Sequence, residues 1–413
     1  MNYSLKMEVT SLKIALKNWL RLIDRIFALR IFKVVSIKDL SDTFYQEVKC
    51  DIGDLNFKAN KFTVHSTNES QANLLKRQRE LRSLRDDVSP SVYNLSGRFF
   101  KITNGGFVVF RNKQILVESC NHEDIYFWRY FSKVILKLQL LIGNSKEVDH
   151  LFALEHQLDF NYWHLHVEIF PQLALVLQTH FLEYPNNRNK LTVTVRKNFP
   201  ELYKKNLNEL FGNYISFMVV GLRPISAKHI YLTSEMYERS LKDNESLLQF
   251  RNLIFWSALR KFELPLISSC NNQVFDLIIV SRRLAGSRRL LNEVEMVKYL
   301  EGKGIHSKIV ELENVSWLEQ LSYFKSTKGI LGAHGAHSAS LLYSPSLFYI
   351  KVVDLLRKRG LFPVMEQMDI CFFNSVDHYI LDVCADWDNE DYLLKQNDFE
   401  QILKICNIYK IKF

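Results

Sequence analysis

One stretch of the 413-residue chain, residues 276–346, constrains the fold more than any other. It opens with the apolar run DLIIV at 276–280, which is typical of a strand buried on both faces. Segments with apolar residues at helical spacing then alternate with short strand-like segments as far as residue 331. This strand–helix–strand–helix–strand order predicts a parallel sheet with crossover helices, which is half of a doubly wound fold.

Two loops follow the first and third of these predicted strands. The arginine loop, SRRLAGSRR at 281–289, holds four arginines, and the histidine loop, GAHGAHS at 332–338, surrounds a histidine with small residues. Arginine forks match phosphate oxygens, and a small-residue loop lets backbone N–H groups approach a ligand closely. Because parallel sheets bind ligands at the carboxyl ends of their strands, the two loops predict a diphosphate site. The alternative is a basic surface loop beside a tight turn.

A second informative stretch is NYWHLHVEIFP at 161–171. If it is helical, His164 and Glu168 lie four residues apart on one face. An imidazole and a carboxylate placed in this way can share a proton, and either can serve as a general base. The alternatives are a structural hydrogen bond and a packed histidine.

Length and composition limit the class of protein. A chain of 413 residues with 47% hydrophobic and 24% charged residues fits a globular protein of two domains. The formal charge of +9 favours an anionic partner: a nucleotide, a membrane surface or nucleic acid. The absence of a recognised nucleic-acid motif argues against the last of these. Six scattered cysteines without a C-x-x-C pair indicate reduced thiols in a reducing compartment, without a zinc or disulfide framework.

The N-terminal region bears on localisation. Residues 11–30 repeat apolar side chains at helical spacing, and lysines and arginines occupy another face. Such a basic amphipathic helix either contacts an anionic membrane or packs on its own domain. The chain holds no uninterrupted apolar run of the ~18 residues that a membrane-spanning helix requires, and its N-terminus does not resemble a secretory signal. These features predict a cytoplasmic protein.

Three patterns, in this order along the chain, resemble glycosyltransferase family 61, also known as DUF563. They are S-R-R-x-A-x-x-R-R-x-x-N-E-x-E from residue 281, W-L-E-Q-L-x-x-F from residue 317 and G-A-H-G-A from residue 332. The family's N-x-x-H-x-x-x-[DE]-x-x-P segment is matched by Asn161, His164, Glu168 and Pro171. His166 is additional to that pattern, and we interpret it as a packing or an acceptor-contacting residue.

The resemblance implies an α/β fold with two Rossmann-like domains facing across a cleft, similar to the GT-B fold, after an N-terminal helical and hairpin extension. The predicted boundaries are 1–95 for this basic, charged extension, 96–250 for an acceptor-side α/β domain, and 251–413 for a Rossmann-like domain that binds the nucleotide sugar.

The resemblance also implies an activity. The expected reaction is inverting transfer of a sugar from a nucleoside diphosphate sugar, UDP-linked, to a hydroxyl of a glycan or lipid-linked glycan, in capsule or other surface-polysaccharide synthesis. No metal cofactor is expected, because arginines and backbone amides can stabilise the leaving phosphate. We expect no nucleic-acid partner. Residues 11–30 are the candidate segment for peripheral contact with the inner face of the membrane. The alternative is a catalytically inactive relative that binds a nucleotide sugar or a glycan.

The candidate residues follow from these roles. Glu168 or His164 is the predicted catalytic base, and Asn161 and His166 are assigned to the acceptor. The predicted donor-binding residues are Arg282, Arg283, Arg288, Asn292, Glu293, Gly332, His334, Gly335 and Ala336. His337 and Ser340 stand where many family members have glycine and asparagine, and Lys351 aligns with an acidic residue that commonly ends the next strand. These departures bear on which donor is bound.

Overall fold

The computed structural model describes most of the chain. The described residues are 33–50, 61–66, 69–82, 91–96, 100–102, 108–111, 114–116, 140, 146–154, 162–183, 190–221, 223–233, 252–260, 262, 275–344, 347–356, 367, 370–371, 373–386 and 388–410. The predicted amphipathic helix at 11–30 lies outside them. Among the helices that are described, none combines the length and the apolar character needed to cross a bilayer.

Sixteen strands are present in the described part of the chain. They are β1 (Lys33–Val35), β2 (Tyr45–Lys49), β3 (Phe62–His65), β4 (Ser91–Ser96), β5 (Phe100–Ile102), β6 (Val108–Phe110), β7 (Gln114–Leu116), β8 (Lys146–Ala153), β9 (Leu191–Arg196), β10 (Ile215–Val220), β11 (Ile225–Thr233), β12 (Phe275–Val280), β13 (Ser307–Val310), β14 (Thr327–Ala333), β15 (Phe348–Val353) and β16 (Asp377–Asp382).

The helices alternate with strands mainly in the second half of the chain. They are α1 (Glu69–Arg82), α2 (Tyr162–His164), α3 (Phe170–Glu183), α4 (Glu201–Phe211), α5 (Glu293–Gly302), α6 (Trp317–Lys325) and α7 (Gln396–Lys410). A π-helical turn, Leu165–Ile169, joins α2 to α3, and we call the continuous run 162–183 the His–Glu helix. Residues 252–260 are also helical, and Ala336–Tyr343 forms a 3₁₀ helix that begins within the histidine loop.

The chain divides into two compact units that interleave along the sequence. The first contains residues 1–50, 90–160 and 175–239, and the second contains residues 51–89, 161–174 and 240–413. The predicted boundaries at 95 and 250 are contiguous and differ from this grouping. They differ because the described part of residues 1–95 is not a separate extension: β1, β2 and β4 pair in the first unit's sheet, and β3 pairs in that of the second.

The first unit contains a mixed sheet of ten strands. Its order is β1-β7-β6-β5-β11-β8-β9-β10, and β4 pairs with both β11 and β2. β6 and β7 form a hairpin, because they are consecutive and pair antiparallel. The four strands β11, β8, β9 and β10 are mutually parallel, but β4 and β5 run antiparallel to β11. The sheet therefore has a parallel part, as a Rossmann-like domain requires, and an antiparallel part, which that fold does not predict.

The second unit contains a fully parallel sheet of six strands in the order β13-β12-β14-β15-β16-β3. Counted from β12, the first five strands have the order 2-1-3-4-5, which is one of the common orders of doubly wound sheets. The predicted strand–helix alternation is thereby confirmed. In this order the connections change direction between β12 and β14, and ligands of doubly wound sheets bind outside the carboxyl ends of such a strand pair.

The central strands of this sheet are buried on both faces, which explains their continuous apolar sequences. One face packs against α5 and α7 through Met296, Leu300, Ile402 and Ile405, together with Ile350 and other strand residues. Side chains alternate between the faces of a strand, so Lys351, the neighbour of Ile350, points to the opposite face. A buried lysine therefore lies in the middle of the sheet.

The π-helical turn of the His–Glu helix has an identifiable cause. Pro171 has no backbone N–H, so it cannot donate to the carbonyl of Val167 in the preceding turn. The indole N–H of the buried Trp256 donates to that oxygen instead, at 2.9 Å. The backbone N–H of Phe170 reaches back five residues to Leu165, which is the π-helical pattern. A tertiary contact thus satisfies the acceptor that the proline leaves open.

We predict that Trp256→Phe lowers the free energy of unfolding by about 1–3 kcal/mol, the usual cost of leaving a buried acceptor without a partner. The aromatic packing against Phe373, with ring centroids 5.6 Å apart, is largely retained in this variant. Urea titration measures the effect. An unchanged free energy of unfolding would contradict the role given to the indole N–H.

Candidate functional site

The arginine loop follows β12 and is fixed to a later segment of the second unit. The backbone N–H of Arg288 donates to Asn389 O at 3.0 Å, and Tyr392 N donates to Arg289 O at 2.8 Å. The guanidinium of Arg289 binds the buried carboxylate of Asp391, with Nε 2.9 Å from Oδ2. Arg288 adopts a left-handed backbone conformation with φ of 60°, which non-glycine residues seldom adopt unless the surrounding structure holds them there.

The arginine loop and the histidine loop meet, as the neighbouring positions of β12 and β14 require. A Cβ atom built on Gly335 would lie 2.0 Å from Nη1 of Arg282 and 3.0 Å from Nδ1 of His337. Only a residue without a side chain allows the guanidinium to approach the backbone this closely. The glycine in the histidine loop therefore serves to admit Arg282.

His334 lies at the centre of a group of cations. Its Nδ1 is 3.5 Å from Nζ of Lys351, and Arg282 and Arg288 are also close enough to perturb its titration. Burial, which has the largest effect, and these three cations together lower the pKa of His334 to about 2. The imidazole is consequently neutral at physiological pH, and the site concentrates positive charge that an anion would balance.

His337 borders the same group. Its ring lies between the backbones of the two loop glycines, because a Cβ atom built on Gly332 would lie 2.4 Å from His337 Nε2. The side chain is buried, and neither ring nitrogen has a hydrogen-bond partner among the described residues. Burial lowers the pKa of His337 to about 3, helped by Arg282 and Lys351. A buried imidazole in this state has unused capacity to bind a ligand.

The other predicted donor-binding residues make structural contacts. Arg283, 69% exposed, pairs with Glu311. Asn292 holds the backbone of Leu394 through two hydrogen bonds of 2.9 and 3.1 Å. Glu293 accepts a hydrogen bond from Ser281 Oγ at 2.8 Å, and burial raises the pKa of its carboxyl. Asn292 therefore fixes the segment at Leu394, and Glu293 fixes Ser281 of the arginine loop; donor binding by these two residues stays a prediction.

The predicted pairing in the His–Glu helix is present. His164 Nδ1 lies 2.5 Å from Glu168 Oε1, and the two side chains are 20% and 12% exposed. The His–Glu helix is anchored to the 3₁₀ helix that begins within the histidine loop, since Tyr162 OH lies 3.0 Å from Ser340 Oγ. The candidate base and the cation group therefore belong to the same compact unit. π-Helical turns like the one that carries Glu168 are frequent at functional sites.

The two residues assigned to the acceptor have different outcomes. Asn161 lies outside the described residues. His166 is fully buried: its Nδ1 lies 2.5 Å from Tyr343 OH, and its ring is 4.2 Å from the ring of Tyr162 and 5.6 Å from that of Trp317. Burial lowers its pKa to about 3. Since no surface of His166 is accessible, the structure favours packing over contact with an acceptor.

Sequence reasoning missed the position of Lys351. The strand that contains it continues to Val353, and the next residue, Asp354, is acidic. Lys351 is therefore in mid-strand, and Asp354 is the acidic residue at the strand end, where its carboxylate accepts hydrogen bonds from the backbones of Leu356 and Ala385. The parallel register with β14, which places Lys351 beside Gly332, is the signal that would have located it.

No group of three or more histidine, cysteine, aspartate or glutamate side chains within the described ranges is arranged to hold a metal ion. The positive charge of the site comes from side chains.

We predict that Gly335→Ala weakens nucleoside diphosphate binding about tenfold and leaves the melting temperature nearly unchanged. The new methyl group would displace the flexible end of Arg282 rather than backbone, so the fold can accommodate it. Losing one charge-assisted hydrogen bond accounts for an effect of this size. The control is Gly286→Ala in the arginine loop, because a Cβ atom there meets nothing within 4 Å. Equal affinities of the two variants, measured by calorimetry, would contradict the proposed contact.

The buried histidines predict a loss of stability in mild acid. In the folded state the pKa values of His166, His334 and His337 are lowered to about 3, 2 and 3, below the ~6.5 expected after unfolding. At pH values between the folded and unfolded pKa, the unfolded chain binds more protons than the folded chain. The contribution of these histidines to the free energy of unfolding is therefore fully present above pH ~6.5 and decreases as the pH falls towards 3.

The expected loss between pH 7 and pH 5 is on the order of 2 kcal/mol for each histidine as an upper bound. Urea unfolding at the two pH values measures it, and His337→Phe, which lacks one of the three groups, should show a smaller loss. A free energy of unfolding that is constant or higher at pH 5 would contradict the prediction.

Comparison with known proteins agrees with this geometry. Residues 162–347 match the family described as Glycosyltransferase 61. The match runs from the start of the His–Glu helix, through both loops, to the residue before β15. No curated protein matches the chain significantly. The family implies transfer of a sugar from a donor to a glycan acceptor, and residues 162–347 are thus identified as a region of glycosyltransferase family 61.

Proposed function

We propose that the protein is an inverting glycosyltransferase that moves a sugar from a nucleoside diphosphate sugar, UDP-linked, to a hydroxyl of a glycan or lipid-linked glycan. One observation carries the proposal: the guanidinium of Arg282 lies against Gly335, which joins the arginine and histidine loops at the point where the strand order reverses. Parallel sheets bind nucleotides at this position. The family match supports the transfer of a sugar.

The site is suited to stabilise a leaving diphosphate. When the bond between the anomeric carbon and the phosphate oxygen breaks, the electron pair remains on that oxygen. Arg282 and Arg288 would neutralise the growing charge, and backbone N–H groups of the histidine loop would donate hydrogen bonds to it. The neutral imidazole of His334 keeps one N–H group, which would donate a hydrogen bond to a phosphate oxygen.

The acceptor reaction requires a base. The acceptor hydroxyl oxygen attacks the anomeric carbon from the face opposite the departing phosphate, which inverts the configuration. We assign the hydroxyl proton to Glu168, and His164, 2.5 Å away, would orient the carboxylate. Glu168 and His164 both retain partial exposure, which a base needs in order to meet an acceptor.

Several finer features are part of the same proposal. We propose catalysis without a metal, because side-chain cations can supply the charge that metal ions supply elsewhere. Adding EDTA should then leave transfer unchanged. We also propose a GT-B-like arrangement of two domains across a cleft, a role in surface-polysaccharide synthesis, and a cytoplasmic location with peripheral contact at the membrane through residues 11–30.

The proposal is tested with a panel of sugar nucleotides. A donor that binds only the folded protein raises the melting temperature, by an amount that grows with ligand concentration. With the stabilising donor and an acceptor glycan, the protein should release nucleoside diphosphate, and NMR of the product should show the inverted anomer. Stabilisation without turnover against any acceptor would favour a binding-only relative. A retained configuration would exclude the inverting mechanism, and no stabilisation by any donor would overturn the proposal.

A further inference from the structure

Two buried side chains outside the predicted donor set, His337 and Lys351, border the cation group from the sheet side. Lys351 has no exposed surface, and its register partner on β14 is Gly332. Register partners direct their side chains to the same face of a sheet, and the imidazole of His337 lies on that face, within 2.4 Å of where a Cβ atom of Gly332 would lie. His337 and Lys351 therefore lie on one face of the sheet, at the base of the histidine loop.

Acidic side chains balance the positive charge of this arrangement only in part: Arg288 pairs with Glu390, with Nε 3.0 Å from Oε2, and Glu313 acts on Arg282. Three side chains that normally carry positive charge, those of Arg282, Arg288 and Lys351, act on the single imidazole of His334. The pKa of Arg282 is itself lowered, first by burial and then by Arg288. Like charges in a partly desolvated site repel, and an anion with two or more negative charges would relieve the repulsion.

We propose that His337 and Lys351 form the inner wall of a pyrophosphate-binding site, in which Lys351 supplies a third cation and His337 donates an N–H group to a phosphate oxygen. The inference rests on the proposed function and extends it, because it adds two buried residues to the side chains that would bind the diphosphate. Lys351 also lies outside the segment that matches the family, which ends at residue 347.

The test measures binding of inorganic pyrophosphate, UDP, GDP and UMP to the purified full-length protein by calorimetry. In the wild type, the preferred nucleoside diphosphate should bind at least tenfold more tightly than UMP, and pyrophosphate should compete with it. Because Lys351 is buried and acts on the ligand through its charge, Lys351→Met should weaken diphosphate binding about 10- to 100-fold, which is the range for losing one positive charge close to an anion in a partly buried site. UMP affinity should change much less.

The matched control is Lys328→Met. Lys328 lies at the opposite end of β14, where it pairs with Asp276 at 2.8 Å, so the variant changes the net charge equally without touching the loops. Its diphosphate affinity should equal that of the wild type. Comparable losses in the two lysine variants would mean that net charge alone is responsible, and would overturn the role of Lys351.

A second variant keeps the proposal testable if Lys351→Met does not fold. His337→Phe preserves the ring and removes two buried nitrogens that have no partner among the described residues. It should therefore raise the melting temperature of the ligand-free protein and weaken pyrophosphate binding at least fivefold. If His337 had only a structural role, the His337→Phe variant would not combine a weaker affinity for pyrophosphate with a higher melting temperature.

The outcomes distinguish the inference from the proposed function. Suppose that the wild type binds a nucleoside diphosphate and that the Lys351 and His337 variants bind it equally well. The role given to Lys351 and His337 is then overturned, and donor binding by the arginine and histidine loops is unaffected. If the wild type binds neither pyrophosphate nor any nucleoside diphosphate, both proposals are overturned.

Discussion

Arg282→Ala is expected to lower kcat/KM for sugar transfer by about 100- to 1,000-fold, the range found when one donor to a developing negative charge is removed. Arg282 is the side chain that physically joins the two loops, through its contact with Gly335. Losing it removes a cation and opens the space that the loops share. Initial rates with the donor identified by thermal stabilisation measure the effect.

The control for this variant is Arg77→Ala, because Arg77 is an exposed arginine on α1. It removes the same charge, and we expect it to keep wild-type activity. Activity of Arg282→Ala within threefold of the wild type would show that the arginine loop does not bind the donor.

Glu168→Gln is expected to lower kcat by about 100- to 10,000-fold, which is the usual contribution of a general base. The glutamine side chain has nearly the same shape and can still accept a hydrogen bond from His164, so the helix should remain intact. Donor affinity should not change, because Glu168 is assigned to the acceptor reaction. Single-turnover rates and donor titrations measure the two quantities separately.

The matched control is Glu201→Gln, which also removes a carboxylate that pairs with a basic side chain on a helix, in this case Lys204. Glu201 lies in the first unit and is 84% exposed. A normal kcat for the Glu168→Gln variant would show that another residue acts as the base. Parallel loss of donor binding would instead place Glu168 in the donor site.

Sequence patterns predicted most of the second unit. The apolar run at 276–280 corresponds to β12, and the helical spacing at 292–300 corresponds to α5. These predictions succeed because a strand buried on both faces has a continuous apolar sequence, and a helix buried on one face has apolar residues at helical spacing. The proximity of the two loops also follows from the sequence, since consecutive βα units of a parallel sheet place their loops at one edge.

The features that were missed depend on contacts between residues far apart in the chain. Nothing near Pro171 indicates that Trp256 donates to the carbonyl of Val167. The pairing of β3 with β16 joins residues about 316 positions apart, so residues 1–95 could not be assigned to either sheet from local patterns. Lys351 was misplaced for a related reason: its burial and its approach to His334 depend on the register between β15 and β14.

The most direct test is a crystal structure with the preferred nucleoside diphosphate bound. We predict that its phosphates lie outside the carboxyl ends of β12 and β14, within hydrogen-bonding distance of Arg282 and of the histidine-loop backbone. A nucleotide bound elsewhere, with Arg282 and His334 free of contact with phosphate, would contradict the claim that these two loops form the donor site.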